Sequence, residues 1–146
     1  MVPYRLSMDE LDKVCGLHRA CFRTESWSRA QLAASLESSS VEGWGLRLEK
    51  ESVGFILVQQ AGDDVEVLTL AVDPAHRRKG IARGLLSFAR NRYPKAPFFL
   101  EVAEDNMGAR ALYESCGYHL IGRRKGYYRR VGGSADALNY RLDTNG

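Results

Sequence analysis

The chain has 146 residues, 45% hydrophobic and 27% charged, with a formal net charge of +3, which is the size and balance of one globular domain, residues 1–146, around one core. No apolar run is long enough to cross a membrane, and the mildly basic charge is not by itself a nucleic-acid signature. Cys15, Cys21, Cys116 and three scattered histidines have no metal-ligand spacing and no disulfide framework, and Met1 to Arg5 lacks a signal-peptide core, so a cytoplasmic chain without metal is expected.

Tyr4-Arg5-Leu6 reads as a short first strand, with Ser7 or Asp9 capping the helix that follows. Leu11, Val14, Cys15, His18 and Phe22 give that helix one apolar stripe. His18, on or beside the stripe, is more simply a core or partly solvated histidine than a catalytic one. Ser28 caps a second helix that turns Leu32 and Leu36 inward and ends at Ser38-Ser39-Ser40. Trp44 to Leu48, Val53 to Gln59 and Val65 to Val72 read as three strands of an antiparallel meander, joined by the polar turns Glu49 to Ser52 and Ala61 to Asp64.

A helix from Ile81 to about Arg92 places Ile81, Leu85, Phe88 and Ala89 on one face, and Tyr93 to Pro97 breaks it. Phe98 to Val102 is a short strand. Asn106 opens a helix carrying Ala109, Leu112, Tyr113 and Cys116 on its apolar side, and Gly117 closes it as a left-handed cap. Tyr118 to Ile121 begins a strand, a loop containing Gly126, Gly132 and Gly133 follows, and Ala137 to Leu142 closes the sheet. The predicted fold is single-domain α/β: a mixed, mostly antiparallel sheet with one right-handed parallel crossover and helices on both faces.

The crossover carries the most informative stretch, Val72-Asp73-Pro74-Ala75-His76-Arg77-Arg78-Lys79-Gly80-Ile81-Ala82-Arg83-Gly84. A strand ends, a basic turn with a glycine follows, and a helix starts. The first N–H groups of that helix have no internal partner and carry the positive end of its dipole. Arg77, Arg78 and Lys79 add charge, and the small residues let a ligand approach the backbone, so a phosphate or pyrophosphate site is expected. Neither the nucleotide-triphosphate P-loop pattern nor the dinucleotide fingerprint is present.

Three further residues invite a chemical role. Glu101 interrupts an apolar strand, either as a solvated edge residue or as a base. Tyr113 lies on an apolar stripe, where a core tyrosine is the simpler reading. Asn106 is explained as a helix cap without any ligand. Cys116 reads as core and not as a nucleophile.

Arg77-x-x-Gly80-x-Ala82 resembles the acetyl-coenzyme A pyrophosphate loop of the GNAT superfamily of N-acetyltransferases. Leu100-Glu101-Val102, Asn106, and Ala109-x-x-Leu112-Tyr113-x-x-x-Gly117-Tyr118 resemble that superfamily's RimI group, the ribosomal-protein-alanine N-terminal acetyltransferases. Arg123-Arg124-Lys125-Gly126-Tyr127-Tyr128 and Glu25-Ser26-Trp27-Ser28 are similar to further segments of the group. Two positions depart from its pattern: Ala103-Glu104-Asp105 stands where an arginine follows the Leu-Glu-Val run, and Arg129 replaces a proline after Tyr-Tyr.

The resemblance implies acetyl-CoA as co-substrate. The backbone of Leu70, Ala71 and Val72 would hold the pantetheine arm and offer N–H donors to the oxyanion. Arg77, Arg78, Lys79, Gly80, Ile81 and Ala82 would hold the pyrophosphate, and Asn106 would bond the cofactor side. Glu101 would be the general base, and Tyr113 the general acid to the thiolate. A thiol near 8.5 and a tyrosine near 10 suit proton transfer. The implied acceptor is a protein N-terminal α-amine, the alanine of a ribosomal protein, with the enzyme a monomer or weak dimer. A small-molecule amine, a lysine, or (as a binding module) a nucleic acid gripped by Arg123, Arg124, Lys125, Tyr127 and Tyr128 are the alternatives. Glu104 and Asp105 are either a solvated turn or an attraction for a basic peptide.

Overall fold

In the computed structural model, residues 2–144 are described. The elements in chain order are β1 (Tyr4–Arg5), α1 (Leu11–Phe22), α2 (Arg29–Glu37), β2 (Val41–Leu48), β3 (Glu51–Ala61), β4 (Asp64–Val72), α3 (Ile81–Arg92), β5 (Phe98–Ala103), α4 (Met107–Ser115), β6 (His119–Arg130) and β7 (Gly133–Leu142). Each helix start has a local cause. Ser28 and Gln31 form a reciprocal capping box for α2, satisfying two otherwise orphaned N–H groups. Asn106 Oδ1 accepts from the Ala109 N–H at 3.1 Å to cap α4. Ser7 caps a 3-10 turn, Met8–Glu10, that leads into α1.

The strands form one seven-stranded sheet in the order β1-β2-β3-β4-β5-β7-β6. Every neighbouring pair is antiparallel except β4 and β5, whose parallel pairing follows the α3 crossover. One face packs α3 and α4 on Ile56, Val65, Phe98, Leu100 and Leu138. The other packs α1 and α2 on Phe55, Leu57 and Ala71, with Leu32 fully buried. Alternation along β4 and β5 therefore sends successive side chains to different helical layers.

Two turns differ from the sequence expectation. β6 does not stop at Ile121 for a loop holding Gly126; it continues to Arg130, and Gly126 sits inside it. Its φ of 63° belongs to a bulge, where the register against β7 shifts between Arg124 and Tyr128. The Gly126 N–H donates to Asp136 Oδ1 at 2.9 Å. A glycine flanked by charged residues looks like a loop in one dimension, yet a bulge demands the same left-handed backbone. The β6–β7 turn itself shrinks to Val131 and Gly132. Likewise only Glu49 and Lys50 turn the β2–β3 hairpin, both at positive φ.

Candidate active site

The cleft begins where the sheet comes apart. β4 and β5 pair only at Val65 with Phe98 and Glu66 with Phe99. Leu57 then pairs with Thr69 while Val58 pairs with Val67, so Leu68 is an extra residue in β4. A bulge bends its strand and strengthens the local twist. Beyond it, from Val67 to Val72, β4 has no strand partner on its β5 side among the described residues. The gap opens into a cavity of about 760 Å³ that passes from the α3–α4 layer through to the α1 layer.

On the α3–α4 side the wall is the basic turn. Arg77, Arg78, Gly80, Ile81 and Ala82 line the cavity, as do Leu70, Ala71 and Val72 of β4. Gly80 precedes α3 at φ 77°, a conformation that glycine enters without a Cβ penalty. The first turn of α3 holds no acidic residue, so its free N–H groups face the cavity with the helix dipole behind them. Lys79 stands off the wall, its Nζ 3.2 Å from His76 Nδ1. Asn106 lines the opposite lip while capping α4. Ser115 Oγ accepts from Arg83 at 2.6 Å, tying α4 to α3 across this side.

Glu101 and Tyr113 reach the gap from its two sides. Phe98, Leu100 and Val102 face α3 and α4, so Glu101 faces the α1 layer. Its Oε2 accepts from Arg124 Nη2 at 2.7 Å and Nε at 3.1 Å. Oε1 accepts nothing from the chain among the described residues, so it is available to a ligand. Tyr113, in the α4 layer, is 9% exposed, and burial pushes its hydroxyl up to about 12. It is therefore protonated throughout the working range.

The α1 side supplies residues that the sequence had not assigned to the site. His18, Cys21, Phe22, Glu25 and Trp27 line the cavity, joined by Thr69 of β4 and Tyr128 of β6. His18 is 1% exposed, and its Nδ1 accepts the Trp27 N–H at 3.2 Å. The ring is thus the Nε2–H tautomer when neutral. Burial pushes it down to about 4, and its ring packs against Phe22, Trp27 and Phe55. The sequence signal for it was its place on the α1 stripe, which a core histidine shares.

The basic cluster of β6 is largely neutralised by neighbours. Arg123 bonds Glu104 and Asp136, and Arg130 bonds Asp105 and Glu25. Arg124 lies over the Tyr127 ring, 4.2 Å from its centroid. Glu104 and Asp105 are thereby internal partners of arginines. Lys125 and Arg129 are left without an ion-pair partner among the described residues, which is a small charge for a nucleic-acid strand.

Known proteins resemble this chain in both sequence and fold. The model of the acetyltransferase (GNAT) family matches residues 11–118. N-alpha-acetyltransferase RimI of Mycobacterium tuberculosis is 36% identical over 128 residues, 82% of this chain and 77% of its own. The ribosomal protein bS18-alanine N-acetyltransferase of Escherichia coli K12 is 30% identical over 115 residues, 77% of each chain. The crystal structure of the ribosomal-protein-S18-alanine N-acetyltransferase from Escherichia coli superposes with a TM-score of 0.91 over 99% of this chain and 96% of that one, at 26% identity. With a family match over most of its length, the chain belongs to the acetyltransferase (GNAT) family and is an acetyl-CoA-dependent N-acetyltransferase.

Proposed function

We propose that this enzyme acetylates a protein N-terminal α-amine, the alanine of a ribosomal protein being the expected acceptor. The observation that carries the reading is the placement of Glu101 and Tyr113 on opposite sides of one gap in the sheet, with the basic turn at one end and a largely aromatic wall at the other. The relatives that act on protein N-termini by their names, at 30–36% identity, support the acceptor class.

Acetyl-CoA supplies an activated thioester carbonyl. Arg77, Arg78 and the α3 N-terminus suit its pyrophosphate, and the open space beside Gly80 leaves room for one. Unpaired backbone of β4 from Leu70 to Val72 offers N–H donors to a carbonyl oxygen gaining charge. Asn106 closes the cofactor side. Glu101 Oε1 takes the proton of the attacking amine, directly or through one water. An α-amine near 7.8 is already roughly a quarter neutral at pH 7.4, whereas a lysine near 10.4 is about 0.1% neutral, so one carboxylate suffices for the former.

Tyr113 acts differently from the expectation drawn from ordinary pKa values. At about 12 it lies roughly 3.5 units above a thiol near 8.5, so full transfer of its proton is opposed by about 5 kcal/mol. Its role is to donate a hydrogen bond to the departing sulfur from a hydroxyl that burial keeps protonated.

The test is mass spectrometry after incubation with acetyl-CoA and two versions of a lysine-containing peptide beginning with alanine, one with its terminus blocked. Acetylation of the free-terminus peptide alone is expected. Modification of both would move the acceptor to lysine, and modification of neither would move it to small amines.

A further inference from the structure

Thr69 is 7% exposed, and its Oγ1 has no hydrogen-bond partner among the described residues. A buried hydroxyl left unpaired is destabilising, because it gives up its water partners for nothing. Valine, nearly the same shape without the hydroxyl, stands at 65, 67 and 72 of the same strand, so position 69 is where β4 carries a polar group that packing does not need. Thr69 is among the residues lining the cavity, at the bulge where β4 leaves β5.

Its face identifies the ligand. Leu70 and Val72 pack toward the α3–α4 layer, which holds the basic turn, whereas Leu68 and Ala71 pack toward α1 and α2. The extra residue at the bulge puts Thr69 on the α1 face too, the face to which Glu101 projects from β5. Thr69 is therefore on the acceptor side of the gap. A threonine carries its methyl and hydroxyl one staggered step apart on the same carbon, so the wall can present the hydroxyl to a ligand by a single χ1 change.

We infer that Thr69 is a positioning residue for the acceptor, its Oγ1 accepting a hydrogen bond from an N–H of the amine and directing the nitrogen lone pair into the gap between β4 and β5. A neutral hydroxyl can do this without competing with Glu101 for the proton. The inference rests on the amine-acetylating reading of the cleft, though not on which amine is the acceptor.

The experiment compares wild type, Thr69→Val and Thr69→Ser. The acceptor is whichever of three amines the wild type acetylates: an alanine-terminated peptide, a terminus-blocked lysine peptide, or spermidine. Thermal unfolding and acetyl-CoA affinity by calorimetry accompany the kinetics. Thr69→Val is expected to unfold at the same temperature or higher, to bind acetyl-CoA within twofold of wild type, and to lose roughly 3–10-fold in kcat/KM for the acceptor. Thr69→Ser is expected to recover most of that loss. Unchanged kcat/KM in Thr69→Val, a failure of serine to rescue, or a lowered unfolding temperature in Thr69→Val would each overturn the role. So would a loss confined to acetyl-CoA affinity. A lysine peptide or spermidine as acceptor would overturn the α-amine reading alone and leave Thr69 to be judged on that amine. Turnover of none of the three would overturn both.

Discussion

At the scale of the residue, the site separates groups that hold charge from groups that hold shape. Glu101 keeps one oxygen on Arg124 and one without a partner among the described residues, so the proposed base is oriented before any amine arrives. Glu101→Gln keeps the shape and removes the proton acceptor. It is expected to lower kcat/KM by roughly 100-fold near pH 6.5, where an α-amine is mostly protonated, and by less as pH rises. Acetyl-CoA affinity should hold, because the carboxylate lies on the acceptor side. The lost pair with Arg124, which is more than half exposed, bears little on stability. Tyr113→Phe tests the other side of the gap: roughly tenfold or more is lost from kcat while acceptor KM stays level. Stopped-time assays from pH 6 to 9 read both variants. Equal loss of kcat/KM across that range in Glu101→Gln would assign Glu101 to binding and not to base catalysis.

At the scale of the element, what the sequence made legible is what local chemistry decides. The α3 stripe, the Ser28 and Asn106 caps and the Gly117 stop each depend on residues within one helical length, and each is where the pattern put it. The basic turn was legible for the same reason. The cleft's acceptor side was not, because it depends on β4 parting from β5, and that in turn on one extra residue at Leu68. Nothing in Val67-Leu68-Thr69-Leu70 marks a bulge: Val67 and Thr69 are strand formers, and no glycine, proline or charge interrupts the run. His18 and Thr69 became site residues only when the sheet brought α1 and β4 to one opening. Gly126 misled in the opposite sense, since its positive φ serves a bulge within β6. Gly80 gives this scale its prediction. A Cβ there meets open space, so the difficulty of a substitution is the backbone at φ 77° and not crowding. Gly80→Ala is expected to cost about 1–2 kcal/mol in urea unfolding and to weaken acetyl-CoA binding by about tenfold. Gly80→Asn should lose less of both, because asparagine enters that region more readily. Equal losses in the two variants would place the constraint in side-chain space instead.

At the scale of the whole molecule, the α1 wall of the cavity and the fold share one titrating group. His18 lies between α1 and the sheet among Phe22, Trp27 and Phe55, and burial holds it near 4 against an ordinary 6.5. Between those two values the unfolded chain binds a proton that the folded chain refuses, so unfolding free energy rises with pH across this window. The contribution is complete above about 6.5 and is lost as pH falls toward 4, by roughly 3 kcal/mol at most. That is a large part of the 5–15 kcal/mol typical of a folded domain. The carboxylates that Arg123 and Arg130 hold low, Asp136 and Asp105, add a loss that begins in the ordinary carboxylate range and continues below it, so it joins the His18 effect only at the acid end of that window. Urea unfolding at pH 7.0 and pH 4.5 is expected to show a loss of a few kcal/mol in wild type. His18→Gln, which cannot charge, should show a much smaller difference between the two pH values whatever its stability at pH 7.0. An equal difference in both proteins would move the acid sensitivity elsewhere. Because His18 accepts the Trp27 N–H, its protonation also breaks the bond that ties the start of α2 to α1. Acceptor KM should therefore rise below about pH 5 before the chain unfolds, while acetyl-CoA, which the proposed site seats against the basic turn on the other face, is expected to remain bound.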